Sequence, residues 1–168
     1  MSAVTRAHPD VRIGMIEAYP SFDVEDFVRM LALMRERGVP PAFLHIDAHL
    51  PALDPRRHNL ARDMARLSVI AGEAGVPFGV IVWGENGDDA EAFAAEAMTL
   101  ATAFGEGFAL WRRVPDHVVI QSWAQSATRV ERVIPPNLPE SDPHTLPGIL
   151  HRVLQAWRGL SPRLAIAP

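Results

Sequence analysis

The chain contains neither cysteine nor lysine, and these two absences exclude several classes of chemistry. Without cysteine it can form no disulfide, thiolate nucleophile or iron–sulfur cluster. Without lysine it can form no Schiff base with a carbonyl substrate, no anchor for pyridoxal phosphate and no standard P-loop. Covalent catalysis by these two residue types and nucleotide binding through a P-loop are therefore excluded.

Motifs for nucleotides, nucleic acids and membranes are also lacking. The Gly-x-Gly at Gly105 and Gly107 has no third glycine and follows an alanine-rich segment instead of a strand, and no Gly-x-Ser-x-Gly elbow occurs. The net charge is -4 and the arginines are scattered, unlike a nucleic-acid binder. No run of about 20 apolar residues could cross a bilayer, and residues 1–11 lack the apolar core of a secretion signal. We therefore expect a soluble, cytoplasmic chain with no nucleic-acid or membrane partner and no cofactor.

The pattern of apolar residues predicts an α/β fold with a parallel sheet. Four short apolar runs are typical of buried parallel strands, at 12–18, 42–47, 77–83 and 117–122. Each leads to a predicted helix, at 24–37, 58–74, 88–103 with a short continuation at 108–113, and from 142–145 to 159. The length of 168 residues suits a single domain with irregular tails at 1–11 and 160–168. Four successive βα units fit either half of a (β/α)8 TIM barrel or an open doubly wound sheet.

Polar and indole groups stand at the same end of all four predicted strands. Residues two apart on a strand share a face, so Glu17, Asp47, Trp83 and Gln121 are expected to converge on one rim. Ligands of parallel α/β folds bind at that carboxyl end. Carboxylates, amides and indoles suit a neutral sugar, because an indole packs on its C–H groups while the others bind its hydroxyls. The candidate substrate-binding residues are Tyr19, His45, Trp83, Asn86, Gln121 and Trp123.

Cleavage of a glycosidic bond requires two carboxyl groups, one acting as general acid and the other as nucleophile or base. Glu17 and Asp47 are the first candidate pair because they end consecutive strands. Glu85 is the third candidate, in the loop Gly-Glu-Asn-Gly after strand three. Such acidic residues also cap helices or pair with arginines, so each has a structural interpretation as well.

Five segments together resemble the C-terminal half of a glycoside-hydrolase-type (β/α)8 barrel. They are Ile-Gly-Met-Ile-Glu-Ala-Tyr-Pro at 13–20, Phe-Leu-His-Ile-Asp at 43–47, Phe-Gly-Val-Ile-Val-Trp-Gly-Glu at 78–85, Val-Ile-Gln-Ser-Trp at 119–123 and Pro-Pro-Asn-Leu-Pro-Glu-Ser-Asp at 135–142. The resemblance implies acidic catalytic residues at strand ends, which by position are Glu17, Asp47 and Glu85. It departs from the family in that four strands are missing. A second copy, as a homodimer, or a missing N-terminal half-barrel would then be needed to cover the open sheet.

Two further hypotheses come from the same strand ends. His45, Asp47 and His49 form His-x-Asp-x-His, whose same-face spacing could supply metal ligands to a barrel hydrolase or isomerase. Alternatively the chain is a half-barrel that binds a carbohydrate or a partner chain without catalysis. The first hypothesis, a glycosidase acting on or binding an oligosaccharide, requires no metal.

Overall fold

The computed structural model describes residues 7–122 and 141–160, which alternate strands and helices. The strands are β1 Met15–Tyr19, β2 Leu44–Ala48, β3 Phe78–Val82 and β4 His117–Ile120. The helices are α1 Val24–Glu36, α2 Leu60–Glu73, α3 Ala90–Trp111 and α4 Leu146–Trp157, with a 3₁₀ turn at Leu50–Ala52. The predicted α/β class and all four βα units are confirmed.

The four strands lie in the order in which they occur in the chain, and all are parallel. Right-handed crossovers between consecutive neighbours bring every helix to the same face of the sheet. The core agrees, because it joins Leu44, Ile46, Phe78 and Val80 of the strands to apolar residues of the helices. A doubly wound sheet would instead reverse its strand order at a switch point. The fold is therefore half-barrel-like, with a helix-covered face and an inner face.

Local sequence signals explain where the helices begin and end. The Asp23 carboxylate caps α1 by accepting the N–H groups of Glu25 and Asp26, and the Asp26 carboxylate accepts the N–H of Asp23 in return. Gly38 and Gly75 follow α1 and α2 with φ of 67° and 70°, a conformation that favours glycine. Both kinds of signal can be read from residues next to the helix ends that they mark.

Helix α3 runs unbroken to Trp111, where the sequence predicted a helix at 88–103 with a short continuation at 108–113. Gly105 and Gly107 do not interrupt it, because they serve close packing instead. A Cβ at Gly107 would collide with the carbonyl group of Ala61 in α2, and one at Gly105 would lie 2.8 Å from Nε1 of Trp157 in α4. Within residues 7–122 and 141–160, no helix has the length and apolarity needed to cross a membrane.

Candidate functional site at the carboxyl ends of the strands

Trp83 and His49 form a stacked pair just beyond β3 and β2. Trp83 Nε1 donates a hydrogen bond of 3.2 Å to the carbonyl oxygen of Ala48. The His49 backbone N–H is held by the Tyr19 carbonyl at 2.9 Å, and its ring lies at 12° to the Trp83 indole with centroids 6.0 Å apart. A main-chain carbonyl therefore holds the indole of Trp83, while a backbone hydrogen bond holds the main chain of His49 beside it.

Glu85 joins this pair through its carboxylate. Its Oε1 lies 2.9 Å from His49 Nε2, and the two side chains are 45% and 47% exposed. Glu96 of α3 holds the loop in place, because its Oε2 accepts the N–H groups of Glu85 at 2.6 Å and Asn86 at 2.9 Å. The sequence did not single out Glu96, since its role depends on how α3 docks against the loop. We call His49, Trp83 and Glu85 the rim triad.

A cavity of about 200 Å³ adjoins the rim triad. Its walls are mostly apolar, with two carboxylates and a hydroxyl among them. The lining residues are Ala48, Leu50, Pro51, Trp83, Gly84, Glu85, Glu96, Thr99 and Leu100. The arrangement thus offers an indole, an imidazole and carboxylates beside a small hollow, a mixture typical of ligand sites.

Glu17 and Asp47 do not form the predicted carboxylate pair. The strand register sets Glu17 beside Ile46 and Asp47 beside Ala18. Paired residues of parallel strands point to the same face and successive residues alternate, so the two carboxylates point to opposite faces. Glu17 lies at the edge of the helix-covered face, in a cavity with Phe27 and other residues around α1. The prediction was wrong because counting from strand ends misses a one-residue shift in register.

The inner face of the sheet contains three of the four residues that were expected to share a rim, namely Asp47, Trp83 and Gln121. The register aligns Asp47 with Ile81 and Val82 with Ile120, which sets Trp83 beside Gln121 one residue beyond each strand. One carboxylate oxygen of Asp47 is buried. Gln121 Nε2 is also buried, without a hydrogen-bond partner in the described part of the chain. Trp123, the remaining predicted ligand contact, lies outside the described residues.

His45 is hydrogen-bonded to another histidine and lies apart from the rim triad. Its Nε2 lies 2.9 Å from Nδ1 of His117 on β4, and its ring stacks on Phe43 with centroids 4.3 Å apart. Gly79 leaves space for the His45 ring, because a Cβ at this position would lie 2.5 Å from it. Burial, followed by the nearby charge of His117, lowers the pKa of His45 below its usual value. This geometry does not support the prediction that His45 contacts a substrate at the rim.

The predicted metal ligands are not assembled. His45 bonds to His117 and His49 bonds to Glu85, so the two imidazoles of His-x-Asp-x-His point to different partners. Among residues 7–122 and 141–160, no group of three or more histidine, cysteine, aspartate or glutamate side chains is positioned to hold a metal ion.

Tyr19 is a core residue and not a ligand contact. Its ring is 1% exposed and its hydroxyl donates to Oδ2 of Asp63 at 2.7 Å. Asp63 also accepts the backbone N–H of Asn59 and Nε of Arg62, both at 3.1 Å. Burial raises the pKa of Asp63, but these hydrogen bonds outweigh it and lower the pKa; burial and the bond to Asp63 raise that of Tyr19. Tyr19 therefore orients a carboxylate, but a buried one.

Asn86 shapes the loop between β3 and α3. Its Oδ1 accepts the N–H groups of Asp88 at 3.0 Å and Asp89 at 2.9 Å, and Asp89 in turn caps α3. The amide oxygen is therefore used by the turn. A role for Asn86 in binding substrate, which the sequence suggested, has only its NH₂ group to rely on.

Comparison with family models, curated proteins and solved structures finds no match to this chain.

Proposed function

We propose that the protein binds an oligosaccharide at the carboxyl rim and hydrolyses it as a glycoside-hydrolase-like enzyme. The rim triad is the observation that carries this proposal. Trp83 is anchored through Nε1, so its orientation is fixed before a ligand arrives. A preorganised indole gives a sugar ring an apolar surface at little entropic cost, while the half-exposed Glu85 and His49 supply hydrogen bonds to hydroxyl groups.

The proposed roles in hydrolysis differ from those expected from the sequence. Glu85 replaces Glu17 as the first carboxyl group, because it is accessible and lies beside the cavity. Asp47 remains the second, since it points to the same face as Trp83. His49 holds the Glu85 carboxylate and can exchange a proton with it. General acid–base catalysis by such a group typically contributes about 10²–10⁴-fold to the rate.

Binding is tested first, with a panel of neutral oligosaccharides and titration calorimetry. Trp83→Ala should weaken binding at least tenfold, because stacking on the indole is lost. Trp111→Ala is the matched control, since Trp111 is an exposed indole on α3 outside the rim. The proposal fails when no sugar of the panel binds, or when both variants bind as the parent does.

Hydrolysis is tested separately with aryl glycosides and the natural oligosaccharides that bind. Glu85→Gln and Asp47→Asn should each lower kcat by about 10²-fold or more. Glu17→Gln should leave kcat unchanged, because Glu17 points to the other face of the sheet. Binding without any turnover would reject hydrolysis and leave the alternative of a non-catalytic carbohydrate-binding half-barrel.

A further inference from the structure

Exposed apolar side chains gather at one flank of the molecule, beside β1 and α1. Ile16, Phe22 and Leu33 are 53%, 46% and 49% exposed. A cavity of about 260 Å³ lies among Glu17, Asp26, Met30 and neighbouring residues of this flank. Asp26, Met30 and Leu33 are spaced four and three apart, so they form one stripe of α1. We call Ile16, Phe22, Met30 and Leu33 the β1–α1 flank.

This flank faces away from the rest of the fold. Helix α1 has α2 on one side, where Glu25 Oε1 pairs with Arg66 at 2.8 Å. The stripe with Met30 and Leu33 lies on the other side, and β1 has β2 as its only neighbouring strand among the described residues. The surface that would cover this flank is another parallel strand with a helix on the same face of the sheet.

The opposite flank of the same chain has that form. There β4 pairs with β3 alone in the described part of the sheet, and α4 lies against α3 on the helix-covered face. The charges are also complementary, because α4 with its C-cap contains Arg152 and Arg158 but no acidic residue, whereas Glu17 stands at the β1–α1 flank. The Asp26 carboxylate of that flank is already paired with Arg29 of α1. Opposite charges on two surfaces steer their association and fix its register.

We propose that two copies of the chain close an eight-stranded parallel barrel, with the β4–α4 flank of each copy on the β1–α1 flank of the other. A two-fold axis along the barrel makes both junctions at once, so no edge strand is left open. Eight strands give an interior that side chains can fill, and Ile16 with the His45–His117 pair would contribute to that interior. Closure thus gives Ile16 an apolar environment.

Absence of cysteine allows a direct test of which strands meet. Ile16→Cys is mixed with His117→Cys, Val119→Cys or Gln121→Cys, all on the inner face, and the mixtures are oxidised. The proposal requires a disulfide between chains for at least one mixture, because neighbouring strands bring their Cα atoms within the roughly 4.4–6.8 Å that a disulfide spans. Leu110→Cys, a residue that is 73% exposed on α3, is the control and should give no adduct with Ile16→Cys.

The assembly state is measured by sedimentation equilibrium. The parent chain should be a dimer, and Leu33→Asp should weaken dimerisation at least tenfold by placing a carboxylate in the apolar junction. Leu110→Asp introduces the same change at an exposed position of another helix and should remain dimeric. A parent chain that is monomeric at every concentration overturns the proposal. So does a dimer that forms no adduct between position 16 and any of the three β4 positions.

Discussion

On the helix-covered face of the sheet, Tyr19 and Asp63 form a buried hydrogen-bonded pair, whereas on the inner face His45 bonds to His117. Three hydrogen-bond donors stabilise the charged carboxylate of Asp63, so its pKa is lowered. His45 meets another imidazole, and burial favours its neutral form. Both faces contain a buried titratable group, but of these two groups only Asp63 is surrounded by donors that stabilise its charge.

The largest difference between the two faces should appear in apolar truncations of the same residue type. Phe78 is 2% exposed under Phe108, whereas Phe43 on the inner face is only partly buried. Phe78→Ala should lower the free energy of unfolding by about 3–5 kcal/mol, the usual cost of a large cavity. Phe43→Ala should cost about 1 kcal/mol. Urea denaturation of both variants tests this comparison, and equal losses would contradict it.

A smaller effect is expected from removing one donor of the buried carboxylate. Tyr19→Phe keeps the ring but deletes the hydrogen bond to Asp63, and a bond to a charged group contributes about 1.5–3 kcal/mol. A folded-state pKa below the usual 3.8 means that Asp63 stabilises the fold above pH 3.8 and loses this contribution as pH falls through its lowered pKa. Tyr19→Phe should therefore show its full loss at pH 7 and a shrinking one in acid. A loss that does not vary between these conditions would rule out the charged pair.

The smallest effect is expected on the inner face, from the titration of His45. Its pKa is lowered from 6.5, so the unfolded chain binds protons more readily than the folded one. Its contribution to stability is complete above pH 6.5 and is lost as pH falls toward the folded-state pKa. His45→Gln should flatten the decline of stability between pH 7 and pH 5 relative to the parent. Identical slopes for the two proteins would contradict this assignment.

Much of the fold could be predicted from the sequence, because periodicity and caps are local signals. Strand positions, the Asp23 cap and the ends of α1 and α2 follow from residues near one another in the chain. The site could be predicted only in part. Counting along each strand placed Asp47, Trp83 and Gln121 on one face, and the β2–β3 and β3–β4 registers agree with that count. The β1–β2 register does not, and it places Glu17 on the other face.

The remaining errors have the same physical origin, which is pairing between residues distant in the chain. Tyr19 meets Asp63 across 44 positions, and His45 meets His117 across 72. Contacts between residues so far apart in the chain cannot be predicted from local composition. Glu96 likewise gains its importance only from α3 lying against the loop that contains Glu85. The sequence therefore identifies the side chains at strand ends as a group, but it does not identify their individual partners.

The two glycines of α3 have an evolutionary consequence. A methyl group at Gly107 would collide with the backbone of α2, which cannot yield as a flexible side chain can. At Gly159, by contrast, a methyl group would meet no atom of the described residues within 4 Å, so this position could change freely. Distant relatives that keep this packing of helices should therefore retain the small residues of α3 even where their strand-end acids have diverged. The Gly-x-Gly spacing at Gly105 and Gly107 is then a sequence feature by which such relatives can be recognised.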